Sequence, residues 1–327
     1  MKQETRAGDV ALVGRPNVGK STLLNSLVGE KLSIVTPRAQ TTREAVTGLL
    51  TTETAQLIFV DTPGLLDPSY TLQRAMQETA LNVLRDADLA LLLLDATRPD
   101  ELPAGDAMAA LHARGNALYV AINKTDTGSS DNIESLRAWS QRELGASPVE
   151  IAAATGRGVR ELIDRLTVAL PVSPFFYPAD ELAVQPVRFF VAELIRETVF
   201  EEYEEEVPYS AVAAIDEYRE ASDPVYIRAT VYVERETQKA IIVGKNGAGI
   251  RRLGERSRVK IEDFIGARVY LDLWVKTLPS WRKKVSALQY LGFPVPPELR
   301  AEADRDARAA GRHRKGRRSR QRSRESE

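Results

Sequence analysis

Three short runs of residues carry groups that could handle a nucleotide. Gly14-Arg15-Pro16-Asn17-Val18-Gly19-Lys20-Ser21 is a glycine-framed loop. Its glycines let the backbone curl so that successive N–H groups face a chain of phosphates. Lys20 can reach the β- and γ-phosphates, and the Ser21 hydroxyl can ligate Mg²⁺. Asp61-Thr62-Pro63-Gly64 supplies a carboxylate for indirect Mg²⁺ binding and a glycine N–H for the γ-phosphate. Asn123-Lys124-Thr125-Asp126 chooses the base. A carboxylate at Asp126 can accept both N1–H and the exocyclic amine of guanine, whereas adenine presents an unprotonated N1. Asn123 can brace loop and base, and the Lys124 stem can lie along the ring. Order and spacing give a GTP/GDP site with Mg²⁺, because each motif is weak alone and specific in this company.

These groups need a frame. Val10–Val13 reads as a buried strand entering the first loop, and Thr22–Val28, closed by Gly29, has helical spacing. Leu57–Val60, Leu89–Leu94 and Ala117–Ile122 are apolar throughout, as strands covered on both faces must be. Helical patterns surround Ile133–Trp139 and Val159–Leu170, with strand Val149–Ile151 between them. This alternation predicts an α/β, doubly wound, mostly parallel sheet with its ligand at the strands' C-terminal edge. Leu32–Val46 is polar and threonine-rich and reads as a surface loop. It stands where a nucleotide switch senses the γ-phosphate, through Thr41 or Thr42.

The chain then changes character. Pro171, Pro174 and Pro178 punctuate a linker whose Phe175-Phe176-Tyr177 is expected to pack between domains. Residues 186–206 read as one helix, with six glutamates from Glu197 to Glu206 forming a solvated face. Two strands separated by Ser222-Asp223-Pro224 follow, the second alternating with the period of a sheet wet on one side. Ala240–Val243 reads as an apolar strand entering Gly244-Lys245-Asn246-Gly247, after which come Arg251, Arg252, Arg256, Arg258 and Lys260. A G-x-x-G turn before a basic helix is the arrangement by which an α+β KH unit clamps about four unpaired nucleotides. Strand Val269–Val275 and helix Trp281–Leu291 complete that unit. The reading divides the chain into a nucleotide domain (1–172), a linker (173–185), a KH domain (186–293) and a disordered basic tail (294–327).

Composition sets outer bounds. The net charge is −1, yet residues 311–324 hold eight Lys/Arg and no acid, which leaves the remainder at −9. The tail could bind RNA phosphates without sequence preference or simply solubilise the chain. With no cysteine, disulfides and thiolate metal sites are excluded, and a reducing compartment fits. Met1–Arg6 lacks an apolar signal core, so a cytoplasmic location is expected.

Together these motifs resemble the Era family of bacterial ribosome-assembly GTPases, over about residues 8–293. The resemblance rests on the first loop, Ala39-Gln40-Thr41-Thr42-Arg43, Asp61–Gly64, Asn123–Asp126, Arg188-Phe189, Glu206-Val207-Pro208-Tyr209-Ser210 and Ile242-Val243-Gly244-Lys245-Asn246-Gly247. It implies GTP hydrolysis by the first domain and binding of the small-subunit rRNA 3′ end, on the small ribosomal subunit, by a type II KH domain. Peripheral membrane association in some members and a monomeric state are also expected. It selects Thr42 over Thr41 as the Mg²⁺ ligand. It makes Lys20, Thr42, Gly64 and Asn17 the catalytic set, and Gly14, Val18, Gly19, Ser21, Thr22, Asp61, Asn123, Lys124, Asp126 and Ala153 nucleotide contacts. It assigns RNA contacts to Ile242, Gly244, Lys245, Asn246, Gly247, Arg251 and Arg252. Similar enzymes with an apolar residue after D-x-x-G bind K⁺ beside the equivalent of Asn17, and here that residue is Leu65. Leucine cannot orient the attacking water as the glutamine of Ras-like enzymes does. In the guanine loop Ala152 stands where the family carries serine, while Ala153 keeps the backbone contact to the guanine carbonyl. The histidine often found shortly after D-x-x-G is missing from Leu65-Leu66-Asp67. Two other classes remain: a P-loop ATPase or kinase, disfavoured by Asp126, and an RNA-binding module whose nucleotide is structural, disfavoured by the intact Lys20, Ser21, Thr42 and Asp61.

Overall fold

The computed structural model describes residues 4–36, 38 and 41–305; the basic stretch 311–324 and the pair Ala39-Gln40 lie outside the described residues. The first half is an open sheet in the order β2-β3-β1-β4-β5-β6. Its strands are β1 (Arg6–Val13), β2 (Val46–Thr51), β3 (Ala55–Asp61), β4 (Leu89–Asp95), β5 (Leu118–Asn123) and β6 (Val149–Glu150). Helices α1 (Lys20–Val28), α2 (Thr71–Asp86), α3 (Gly105–His112), α4 (Ser130–Leu144) and α5 (Val159–Ala169) cover both faces. Every pairing is parallel except β2 with β3. β2 lies just beyond the stretch read as a loop and was not anticipated. Register does the positioning: Leu12 pairs with Asp61, and Asp95 with Asn123, so loops, carboxylates and amide collect at one edge. β4 is buried along its whole length, which is why it reads as an unbroken apolar run.

The segment after α5 is not a free tether. Its backbone lies along β2, where Leu49 N–H donates to Leu182 O (2.9 Å) and Val184 N–H to Thr47 O (3.4 Å). The buried Gln56 side chain accepts from Phe176 N–H (2.8 Å) and Tyr177 N–H (3.0 Å). The expectation that Phe175-Phe176-Tyr177 pack between domains is corrected at Phe176, which is 57% exposed. Gln56 holds that turn by its backbone, so the ring is not needed as an anchor.

The second half holds a three-stranded sheet, β7-β8-β9, of β7 (Val212–Arg219), β8 (Val225–Val233) and β9 (Val269–Thr277). Helices α6 (Val187–Glu202), α8 (Glu236–Val243) and α9 (Ala248–Ile265) pack on one face through Val191, Ile195, Ile227, Ile242, Leu253 and Ile261. Three expectations are corrected. The helix read over 186–206 ends at Glu202, and a separate turn of helix, α7 (Val207–Ser210), follows with Pro208 at its start. The run Ala240–Val243 belongs to α8, not to a strand: the Gln238 side chain accepts from the Arg235 N–H (3.0 Å) at the start of a helix that buries Ile242 and exposes Ile241. The helix read over Trp281–Leu291 is a 3₁₀ turn, Trp281–Lys283, followed by α10 (Val285–Tyr290).

Trp281 is fully buried in a cluster that joins the halves, where Leu72, Ala75 and Met76 of α2 meet Val212, Tyr232 and Leu288. Val295 and Leu299 belong to the same cluster, and Arg74 pairs with Glu302 (2.9 Å). The disordered tail expected from residue 294 is therefore corrected over its first part, which packs at Val295 and Leu299 and is helical over 297–305. Val295 packs just ahead of the helix and Leu299 within its first turn, which docks the start of that helix.

Candidate functional site

The glycine-framed loop runs from the end of β1 into α1 and borders a cavity of about 450 Å³. Asn17, Gly19, Lys20, Ser21, Thr22, Thr42, Gly64 and Lys124 all line it, so most of the expected nucleotide contacts meet in one place. Gly19 is required there: its φ is 99°, and a Cβ would stand 2.3 Å from the Asn123 amide nitrogen. That amide donates to Val18 O (2.8 Å), tying the base loop to the phosphate loop. Lys20 is buried and donates to Gly14 O (3.3 Å) and Arg15 O (3.2 Å). Burial pushes its ammonium down to about 8, against the opposing pull of Asp61.

Beneath the lysine three oxygens converge. Ser21 Oγ donates to Asp61 Oδ2 (2.7 Å) and lies 3.0 Å from Thr42 Oγ1, while Thr42 Oγ1 stands 3.4 Å from the same carboxylate oxygen. Thr41 instead turns its carbonyl toward Arg196. Asp61 is wholly buried, and burial raises its carboxyl against Lys20, Ser21 and Thr42. Its Oδ1 has no hydrogen-bond partner among the described residues. A buried carboxylate oxygen left unpaired among hydroxyls is the donor set a hard divalent cation takes up.

At the base end, Asp126 is exposed, and Lys124 is held at φ 61°. Lys124 Nζ donates to Asn17 O (2.7 Å) and to Asp95 Oδ2 (2.6 Å). Asp95 was not among the expected site residues, although its place as an acid ending an apolar strand, like Asp61, was a usable signal. Arg98, which also lines the cavity, carried none. The Ala153 N–H assigned to the guanine carbonyl donates here to Asn123 Oδ1 (2.9 Å), so a base must compete with that bond. Leu65 lies in the core beside β1, its N–H bonded to Gly14 O (2.9 Å).

The second candidate site is the G-x-x-G turn. Gly244 has φ 69°, and a Cβ there would stand 2.8 Å from Gly249 N, so the helix–turn–helix closes only around glycine. Lys245 and Asn246 are exposed. A cleft of about 600 Å³ opens beside the turn between α9 and the edge strand β9, bordered by Gly247, Arg251, Arg258 and Tyr270. Ile242 does not reach it: its side chain is fully buried and its carbonyl accepts from Tyr203 O–H (3.1 Å).

The solvated glutamate face is corrected at two positions. Glu197 is buried and pairs with Lys31 (2.8 Å) and Lys260 (2.8 Å). Glu202, its side chain 6% exposed, pairs with Arg252 (2.6 Å) and Arg256. The basic face of α9 is thus partly neutralised from α6. Arg251 has no ion pair among the described residues.

Known proteins share this arrangement. Residues 9–124 match the family described as 50S ribosome-binding GTPase, and residues 195–282 match the KH domain family. The GTPase Era of Carboxydothermus hydrogenoformans is 39% identical over 291 residues, 88% of this chain and 98% of that protein. The chain belongs to the Era GTPase family. Its first domain hydrolyses GTP, as that family's name states. Two solved Era structures superpose with a TM-score of 0.78, each covering 88% of this chain and 99% of the other. One is an Aquifex aeolicus Era variant bound to GDP and AlF₄⁻, 34% identical. The other is an Era in complex with MgGDPNP and nucleotides 1506–1542 of 16S ribosomal RNA, 35% identical.

Proposed function

We propose that this Era-family chain is a GTP-driven switch that reads the single-stranded 3′ end of small-subunit rRNA and assists assembly of the small ribosomal subunit. The observation that carries this is the convergence of Ser21, Thr42 and the unpaired Asp61 oxygen at one sheet edge, in a chain that also presents a G-x-x-G cleft. Ser21, Thr42 and, indirectly, Asp61 hold Mg²⁺, which when bound neutralises phosphate charge. Lys20 does the same for the β- and γ-phosphates, and the Gly64 N–H and the loop amides hold the γ-phosphate in place. Leu65 orients no water, and a K⁺ held beside Asn17 would supply positive charge at the phosphates as an arginine finger does. Asp126 selects guanine, and Asn123 braces it.

At the second site Gly244 and Gly247 admit the sugar–phosphate chain, Lys245, Asn246 and Arg251 meet phosphates, and the edge of β9 meets bases. The solved Era–16S RNA complex supports this assignment. The proposed units are 1–172, 173–185 and 186–293, with 294–305 docked where the two domains meet. The chain works as a cytoplasmic monomer. No described helix is long and apolar enough to cross a membrane, so any membrane contact is peripheral with respect to these helices.

The test is base choice. Asp126→Asn should lower GTP turnover by about 100-fold or more and restore it with XTP, whose C2 carbonyl suits an amide donor. A variant that still prefers GTP by a wide margin contradicts the assignment.

A further inference from the structure

Both flanks of Thr42 are fastened to the second domain. On one side the Thr41 carbonyl accepts from Arg196, a side chain of α6 that is 2% exposed and ion-paired with Glu193. On the other, Arg43 crosses to α7 and is 7% exposed. Its guanidinium donates to Ala211 O (2.7 Å), Tyr209 O (2.8 Å) and Pro208 O (3.4 Å). It also lies 5.5 Å from the centroid of the Trp281 ring. Two residues further on, Gln185 donates to Ala45 O (3.1 Å).

The chemistry of the seat is specific. A helix as short as α7 leaves its last carbonyls without helical partners, and a cation at that end is favoured. A planar guanidinium meets several carbonyls at once, which a single ammonium cannot do. Between these two anchors Thr42 has little freedom, and its hydroxyl stands 3.0 Å from Ser21 Oγ. We infer that Arg43 and Arg196 are positioning residues for the GTPase reaction: through them the KH domain holds Thr42 where it completes the Mg²⁺ and γ-phosphate site. The site is therefore shared between domains, although no described residue of the second lines the nucleotide cavity. This inference rests on the reading of Thr42 as a ligand in the GTP state.

The consequence separates two nucleotides. GDP lacks the phosphate that Thr42 senses, so loosening its anchors should spare GDP and harm the triphosphate state. The experiment compares full-length chains carrying Thr42→Ala, Arg43→Met, Arg43→Lys and Arg196→Met, using fluorescent GDP and GDPNP. It records both affinities and the Mg²⁺ concentration giving half-maximal hydrolysis. Arg43→Met and Arg196→Met should weaken GDPNP at least five-fold and raise the Mg²⁺ requirement, with GDP affinity changed less than two-fold. Arg43→Lys, which keeps the charge and the fold, should lose at least half of that selectivity for GDPNP. If Thr42→Ala shows the GDPNP-selective loss and no arginine variant does, the inference is overturned while the Thr42 assignment stands. If Thr42→Ala itself shows none, the reading of that threonine fails first. Equal losses for GDP and GDPNP in the arginine variants would mark a merely structural role and also overturn it.

Discussion

The nucleotide cavity and the G-x-x-G cleft handle charge in opposite ways. In the cavity Lys20 hydrogen-bonds backbone carbonyls, and one oxygen of Asp61 has no hydrogen-bond partner among the described residues. Along the helix that walls the cleft most of the cations already have carboxylates: Arg258, at the cleft's border, meets Glu262, and on the side toward α6 Arg252 and Arg256 share Glu202 while Lys260 meets Glu197 and Glu201. Buried groups left underpaired give a site its affinity for one compact ligand, because the ligand repairs them. Exposed groups already paired must exchange partners, so each contributes little and many are needed. The first site should therefore fail sharply under single substitutions, and the second should respond in steps.

The sharpest failure should come from Lys20→Ala, which removes the one buried cation facing the phosphates. GTP turnover should fall by about 10²–10³-fold, as for loss of one preorganised charge donor. RNA affinity measured without nucleotide should stay within two-fold. Steady-state phosphate release and filter binding check the pair, and a turnover loss below ten-fold would erase the contrast between the sites.

At the cleft the largest effect belongs to backbone shape rather than charge. Replacing Gly244 and Gly247 with aspartate should abolish preference for the rRNA 3′ end over a scrambled RNA while leaving weak, salt-sensitive binding. GTP hydrolysis measured without RNA should survive. Competition titration checks this, and a retained preference would move the reading surface elsewhere.

How much of this was legible in sequence follows from the same contrast. The three motifs could be read because each needs particular residues at fixed spacing along one strand end. Asp95 was missed because it acts through the Lys124 side chain of another element, although an acid ending an apolar run was there to be read, and nothing local marks Arg98. Glu197 and Glu202 were misread because a run of six glutamates looks solvated until a basic helix is laid across it. Ala240–Val243 was misread because four apolar residues fit a strand as well as a helix, and the capping group lay upstream at Gln238. The packing of Val295 and Leu299 was hidden by the charged residues around them.

A smaller effect would sharpen the comparison. Arg251→Ala should reduce the salt dependence of RNA binding by about one phosphate's worth, whereas Arg252→Ala should change it less. Glu202→Gln releases two arginines, so RNA affinity at low salt should rise a few-fold and the salt slope should steepen. Equal slopes for the Arg251→Ala and Arg252→Ala proteins would show that the ion pairs do not govern the cleft.

The smallest expected effect lies between the two sites. Burial first, then Glu193, pushes the Glu44 carboxyl up to about 7, against Arg196 and Arg43. The folded chain therefore takes up a proton that the unfolded chain, with a carboxyl near ~4.3, does not hold in this window. Stability linked to Glu44 is present at the acid end and is lost as pH rises from about 4.3 through about 7. Glu44→Gln should flatten the pH dependence of the unfolding midpoint over that range, and parallel curves for the two proteins would contradict the assignment.

The central claim, that the cleft reads sequence rather than charge alone, is tested most directly by RNA competition with the unaltered chain. Oligonucleotides of the rRNA 3′ end and a scrambled sequence of equal length are titrated with GDPNP and Mg²⁺ at two salt concentrations. The account predicts that both affinities fall as salt rises while the preference for the 3′ end persists. Equal binding of the two RNAs at both salt concentrations would contradict it.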